Sequence, residues 1–234
     1  MDIVFTDKKL LRSLVNNEKN NETSFFLNPK GNKIITNKKS KCIYNRVGAN
    51  DKECLTILIT GNAAGQLLPP MIMFSYQGIP AVIIEKIPNG WSIGRSDSGW
   101  ITGESFYKYM TNVFYPWCLQ NRIQFPIIMY LDGHSSHATM TLSDFCRIEL
   151  ISLYPNSTHI TQPMDVTLFR PLKNAWKKTV CNWRVQNDGK AMQKSEFASL
   201  LKIAIESINT EKILSNGFTC CGLAPVFSVR NRLQ

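Results

Sequence analysis

Pro126-Ile127-Ile128-Met129-Tyr130-Leu131-Asp132-Gly133-His134-Ser135-Ser136-His137 decides how the rest of the sequence is read. An apolar run ends on an acid, and a turn of Gly, His and Ser follows at once. A short apolar run closed by turn residues predicts a strand buried on both faces. Open α/β sheets carry their chemistry at the carboxyl ends of such strands, so Asp132 is the first candidate site residue. Downstream, His159-Ile160-Thr161-Gln162-Pro163-Met164-Asp165 stands at the head of a basic amphipathic helix expected over 165–186. Two carboxylates from separate elements suggest a divalent-metal site.

Outward from that strand, the pattern gives more strands before it and helices after it. Residues 1–20 are polar, rich in Lys and Asn, and read as a linker or foreign segment. Thr23–Leu27 reads as a short strand and Lys33–Thr36 as its returning partner. Cys54–Thr60 is a strong strand, and Leu68–Tyr76 another, with Pro69-Pro70 suggesting an edge. A long loop is expected from Pro88 to Trp100, its Trp91 and Trp100 anchoring it on the core. A helix over 102–120, capped by Thr102, shows an apolar stripe at Phe106, Tyr109/Met110, Val113 and Trp117. A short helix over 139–147, a second buried strand over 148–153 and a helix over 195–209 capped by Ser195 complete the pattern. The apolar tail 217–227 is expected to pack back. An antiparallel meander feeding a parallel half gives an α/β fold, a mixed sheet flanked by helices, and a ribonuclease-H-like layout suits it.

The bulk properties agree with one such domain. The chain has 234 residues and 44% hydrophobic side chains, enough for a core. Formal net charge is +10 and the isoelectric point about 9.3, which favours a polyanionic partner, nucleic acid before a membrane surface. The 7 cysteines are odd in number and contain no Cys-x-x-Cys, as expected of reduced thiols in a cytosolic or nuclear protein. The first residues lack a signal-peptide core, and no apolar run reaches membrane-span length. The basic stretch with Lys38, Lys39 and Lys41, and the helix with Arg170, Lys173, Lys177 and Lys178, are the candidate phosphate-contacting surfaces.

Hard divalent ions such as Mg²⁺ or Mn²⁺ take oxygen ligands, usually one or two carboxylates with water and substrate phosphate. Two such ions about 4 Å apart assist phosphodiester displacement. Asp132 and Asp165 meet that need, with His134, His137 and Gln162 as neighbours beyond the metal ligands. The turn after Asp132 does not fit the Gly-x-Ser-x-Gly nucleophile pattern, because His137 holds the fifth position. Zinc would need more soft or imidazole ligands than these histidines supply.

Leu131-Asp132-Gly133-His134-Ser135-Ser136-His137, Thr158–Val166 and Phe169-Arg170-Pro171-Leu172-Lys173 resemble the DDE superfamily endonuclease core of the pogo/Tigger/jerky transposases, the group related to centromere protein B. Asn216-Gly217-Phe218 with Gly222–Pro225 resembles the end of that domain. Thr56–Phe74 resembles its middle and Asn21–Phe25 its start. The resemblance spans about 20–227, with 228–234 as a tail. It implies a ribonuclease-H-like fold, Mg²⁺ or Mn²⁺, DNA as partner, a nuclear location, and three metal-binding acids. The second and third are Asp132 and Asp165.

The family's first acid falls on Asn21, in Asn21-Glu22-Thr23. Glu22, one step along, faces the other side of a strand and is part of the pattern in its own right. Asn21 offers a neutral oxygen but no charge, so the resemblance implies weak metal binding and little cleavage. The competing reading is a non-enzymatic domesticated domain that binds DNA or a protein partner. A homodimer stays open.

Overall fold

The computed structural model describes residues 3–6, 25–29, 53–132, 148–153 and 162–223. Its framework follows from one apolar run. β1 is Ile3–Thr6, β2 Phe25–Phe26, β3 Cys54–Leu58 and β4 Thr60–Asn62. β3 and β4 are parted only by Ile59, and every residue from Leu55 to Asn62 is buried, so both faces of this run must be covered. The break lets one run serve two sheets. β3 lies in the order β2-β3-β5-β6, and β4 in the order β4-β1-β7-β8. The remaining strands are β5 (Met71–Phe74), β6 (Ser92–Arg95), β7 (Ile127–Asp132) and β8 (Ile148–Leu153).

Directions are mixed, as expected of the ribonuclease-H-like layout. β1 runs antiparallel to β4 and parallel to β7, and β7 runs parallel to β8. In the other sheet β3 is antiparallel to β2 and β5, while β6 is parallel to β5. Three expectations are corrected here. Residues 1–20 are not wholly a linker, because Ile3–Thr6 is a strand inside the sheet. Pro69-Pro70 precedes no edge, because β5 lies between β3 and β6. The supposed loop 88–100 contains β6, whose Ser92 N–H donates to Pro70 O at 3.1 Å. The proposed returning strand 33–36 and the helix over 139–147 lie outside the described residues.

Strand alternation sorts side chains onto two cores. Leu58, Met71, Met73, Ile127 and Met129 join one core with Phe106, Tyr109, Met110 and Phe114. Ile57, Ile59, Ile72 and Phe74 join the other, with Met164, Leu168, Trp176, Phe197, Leu201 and Phe218. Trp91 is half-buried and packs on this second core, as the sequence suggested.

The first core's helix begins at Thr102. Ser105 N–H donates to Thr102 Oγ1 at 3.2 Å and Thr102 N–H to Ser105 Oγ at 2.8 Å, a reciprocal cap. α2 (Gly103–Tyr109) passes through a π turn (Met110–Phe114) into α3 (Tyr115–Gln120); a short α1 (Ala81–Glu85) precedes them. The π turn adds a residue to the local repeat. The buried stripe therefore ends on Phe114 and Cys118 rather than on Val113 and Trp117.

Tyr109, 1% exposed, donates its hydroxyl to Pro69 O at 3.0 Å. Burial pushes its phenol well above the usual tyrosine range. The unfolded chain releases this proton near pH 10 while the folded chain holds it. Stability is therefore present below about pH 10 and falls as pH rises above it. Denaturant melts at pH 8 and pH 11 are expected to show wild type losing more stability than Tyr109→Phe. Equal losses in both proteins would refute the assignment.

The second core is roofed by α4 (Phe169–Gln186), α5 (Lys194–Glu206) and α6 (Thr210–Cys220). α4 stops where Asp188 and Gly189 take positive φ, 54° and 73°. α5 starts at Lys194, and Ser195 is buried in its first turn instead of capping it; Gln193 holds the cap position without a side-chain bond. α6 replaces part of the expected tail. Asn28, 1% exposed, joins the chain's start to this roof, accepting from Met192 N–H at 2.9 Å and Arg184 Nη2 at 2.8 Å.

Candidate metal centre

Asp132 is the last residue of β7 and pairs in register with Leu153 of β8. On the other side, β1 runs parallel to β7 with Thr6 opposite Leu131. The residue after Leu131 is Asp132, and the residue after Thr6 is Asp7. Asp7 lies outside the described residues, as do Asn21, Glu22, His134, His137 and His159. Sequence reasoning passed over Asp7 because the lysines and asparagines around it dominate residues 1–20. A local signal was present: Ile3-Val4-Phe5-Thr6-Asp7 is a short β-branched run ending on an acid, the pattern of 126–132 on a smaller scale.

Asp165 arrives from the opposite direction. Pro163 leads into a π turn, Met164–Leu168, which continues directly into α4. Met164 and Leu168 are fully buried, Asp165 is half-buried and Val166 exposed. One Asp165 carboxylate oxygen, Oδ2, is shielded from solvent. A carboxylate in the first turn is favoured by the unpaired N–H groups there.

The sheet locates this turn. Gly61, Phe5 and Tyr130 are successive register partners on β4, β1 and β7. A Cβ on Gly61 would stand 2.9 Å from Met164 Cε and 3.0 Å from Leu214 Cδ1, so only a bare backbone admits the turn there. Tyr130 packs on the core that contains Met164. The Asp165 turn therefore covers the sheet face to which Tyr130 belongs, about two strand spacings, roughly 10 Å, across from it. Asp132 is two residues beyond Tyr130.

Gln162 is 1% exposed, and its Oε1 has no hydrogen-bond partner among the described residues. Such an oxygen costs about 1–3 kcal/mol, which a ligand or an outlying donor would offset. The candidate donors Asp132, Asp165 and Gln162 are all oxygens, the chemistry that Mg²⁺ and Mn²⁺ require and zinc does not prefer. Among the described residues no three His, Cys, Asp or Glu side chains gather to hold a metal ion.

The basic residues divide. Lys38, Lys39 and Lys41 lie outside the described residues. α4 carries Arg170, Lys173, Lys177, Lys178 and Arg184 and no acid. Arg170, Lys177 and Lys178 are exposed and Lys173 half-buried, while Leu172, Trp176 and Val180 fill the core side. Arg170, Lys173, Lys177 and Arg184 fall on one stripe at helical spacing. Among the described residues no helix is long and apolar enough to cross a membrane.

A family model described as DDE superfamily endonuclease matches residues 52–218. Among characterised proteins, "MFS-type transporter clz9" of Cochliobolus lunatus is 28% identical over 180 residues, 75% of this chain and 19% of that protein. "Pogo transposable element with KRAB domain" of Homo sapiens is 21% identical over 213 residues, 87% of this chain and 34% of that protein. The chain thus spans between about a fifth and about a third of the length of these relatives. Among solved structures, a Mos1 transposase paired-end complex with the left transposon end aligns over 92% of this chain and 55% of its own, with 13% identity and a TM-score of 0.47. A pre-cleavage Mos1 transpososome aligns over the same shares, with 14% identity and a TM-score of 0.46.

Proposed function

We propose, for a chain that belongs to the DDE superfamily endonuclease family, that it is a transposase-derived nuclease core acting on DNA through a divalent-metal site at the ends of β1, β7 and the Asp165 turn. The observation that carries this reading is the parallel register of β1 and β7. Thr6 and Leu131 are the last pair of that register, and the next residue in the sequence is Asp7 on one side and Asp132 on the other. In this reading Asp7, Asp132 and Asp165 are the three acids, and the charge missing at Asn21 is restored from upstream. The second reading keeps Asn21 as the first-acid position, on the strength of Asn21-Glu22-Thr23, and makes the domain a weak or inactive nuclease that still binds DNA.

The three carboxylates would hold Mg²⁺ or Mn²⁺, and Gln162 Oε1 offers a neutral oxygen beside them. When bound, the ions supply Lewis acidity to the attacking and leaving oxygens of a phosphodiester. The chain's own contribution is to converge negative charge on one sheet end and to hold the duplex. α4 does the second through its acid-free stripe, neutralising phosphates without reading bases. The reading puts the protein in the nucleus with its substrate and leaves room for a homodimer.

The test combines supercoiled-plasmid nicking in Mn²⁺ with DNA binding across a salt series. Wild type is expected to nick and Asp132→Ala to bind DNA without nicking. Substituting Arg170, Lys177 and Lys178 together by Gln is expected to flatten the log-affinity against log-salt slope by about 2–3, near 0.9 per lost phosphate contact. An unchanged slope would remove α4 as the DNA surface. Binding by a wild type that never nicks would support the non-enzymatic reading.

A further inference from the structure

We propose that α6 is the strut that positions Asp165, acting through the hydroxyl of Thr167 and the missing side chain of Gly217; this rests on the metal-site reading above. The π turn that carries Asp165 approaches two backbones. One is Gly61 of β4, which Met164 of the turn and Leu214 of α6 both reach. The other is α6. A Cβ on Gly217 would stand 2.4 Å from Thr167 Oγ1, 2.9 Å from Pro163 O and 3.3 Å from Pro163 Cβ. Any side chain there would push α6 off the turn. Glycine is a poor helix residue, so its use inside α6 suits a need for close approach.

Thr167 makes that approach directional. Its Oγ1 lies 2.9 Å from Pro163 O, at the start of its own turn, and 2.9 Å from Ile213 O in α6. One hydroxyl proton is shared between two carbonyls, so the same atom closes the turn and ties it to the neighbouring helix. Thr167 is two residues from Asp165 and does not face the same way, so it acts on Asp165 only through the backbone. A π turn within a longer helix is often found at a functional site, and here a side-chain hydroxyl braces it. Leu214 and Phe218, buried on the same side of α6, supply the apolar contact that holds the strut down. Asn216-Gly217-Phe218 thereby acquires a role: it is the part of α6 that meets the Asp165 turn.

Mn²⁺ affinity of the full chain, read by electron paramagnetic resonance, tests this without any cleavage assay. Thr167→Val, which keeps the shape and loses the hydroxyl, is expected to weaken Mn²⁺ binding about tenfold, the lower end for outer partners of metal ligands. Thr167→Ser restores the hydroxyl and is expected to bind within about threefold of wild type on the same scale. Gly217→Ala, the second arm should Thr167→Val fail to fold, is expected to weaken binding in the same direction. Circular dichroism confirms that each variant is folded. Asp165→Asn separates the two ideas. If Asp165→Asn weakens Mn²⁺ binding while folded Thr167→Val and Gly217→Ala match wild type, the strut is refuted and the metal site stands. If Asp165→Asn leaves binding unchanged, the metal reading of Asp165 fails and takes the strut with it.

Discussion

Asp7→Asn is expected to lower Mn²⁺-dependent plasmid nicking by at least about 100-fold, while Asn21→Asp leaves it near the wild-type level. Outer partners of metal ligands are commonly worth about 10–100-fold, so a direct carboxylate ligand should exceed that range. Charge and the position of Asp7 in the sequence both favour it. Two divalent ions held by two carboxylates are under-neutralised, so the proposed site calls for a third acid. β1 runs parallel to β7 and Thr6 pairs with Leu131, so Asp7 follows the last paired residue of β1 in the sequence as Asp132 follows Leu131 in β7. Asn21 has the better motif, and Asn21 and Asp7 both lie outside the described residues. The outcome is decisive in either direction. Gain of nicking by Asn21→Asp, with Asp7→Asn at wild-type level, would return the first-acid position to residue 21. Loss in Asp7→Asn with no response at residue 21 would show that the chain recruits an acid its family motif does not contain. Asparagine at position 7 keeps size and polarity, so a loss reports charge rather than unfolding.

The second large effect is on stability. Trp176→Ala is expected to cost about 3–5 kcal/mol, the usual range for deleting a buried large aromatic. Trp176 is 2% exposed and lies at the centre of the second core. Its ring meets Phe25 edge-on at 6.2 Å and Phe197 at 4.8 Å between centroids. Its indole N–H donates to Phe26 O at 2.9 Å, a bond between residues 150 positions apart. Alanine would remove both ring contacts and leave a void under α4, and Phe26 O would lose its donor. In a chain of this size the loss corresponds to roughly a 10 °C fall in Tm. Trp176→Phe should retain most of the packing and lose the bond, with a cost of about 1–3 kcal/mol. Urea melts of the three proteins provide the comparison. A Trp176→Ala variant within 1 kcal/mol of wild type, on the scale expected of a surface change, would contradict this account of the core.

These two residues also mark the boundary between what was legible in the sequence and what was not. Asp132 could be read directly, because an apolar run closed by Asp-Gly-His has few other meanings. Asp165 was legible too, as an acid at the head of an amphipathic helix with Leu172, Trp176 and Val180 on one side and five basic residues elsewhere. Strands 54–60 and 127–132 and the helix from Thr102 carried their periodicity and caps in local sequence. The family followed from the motifs around these same residues.

What escaped was non-local. β1 has four residues, too few to outweigh the lysines and asparagines behind it, and becomes a strand only because β4 and β7 offer hydrogen bonds on both sides. β6 hid in a Gly- and Trp-rich stretch for the same reason, and α6 runs into what was read as an apolar tail from Gly217. Gly217 is a helix breaker by propensity and a contact by geometry, since only the fold brings Pro163 and Thr167 against it. The π turns shift a buried stripe by one residue and raise an acid on its turn, and no period read along the chain anticipates them. Local sequence determined the strands and helices that carry their own periodicity and caps, and it offered Asp132 and Asp165 as candidate acids. How β1 pairs with β7, and how closely α6 approaches the Asp165 turn, depended on register and backbone approach, because both are properties of pairs of segments rather than of either one.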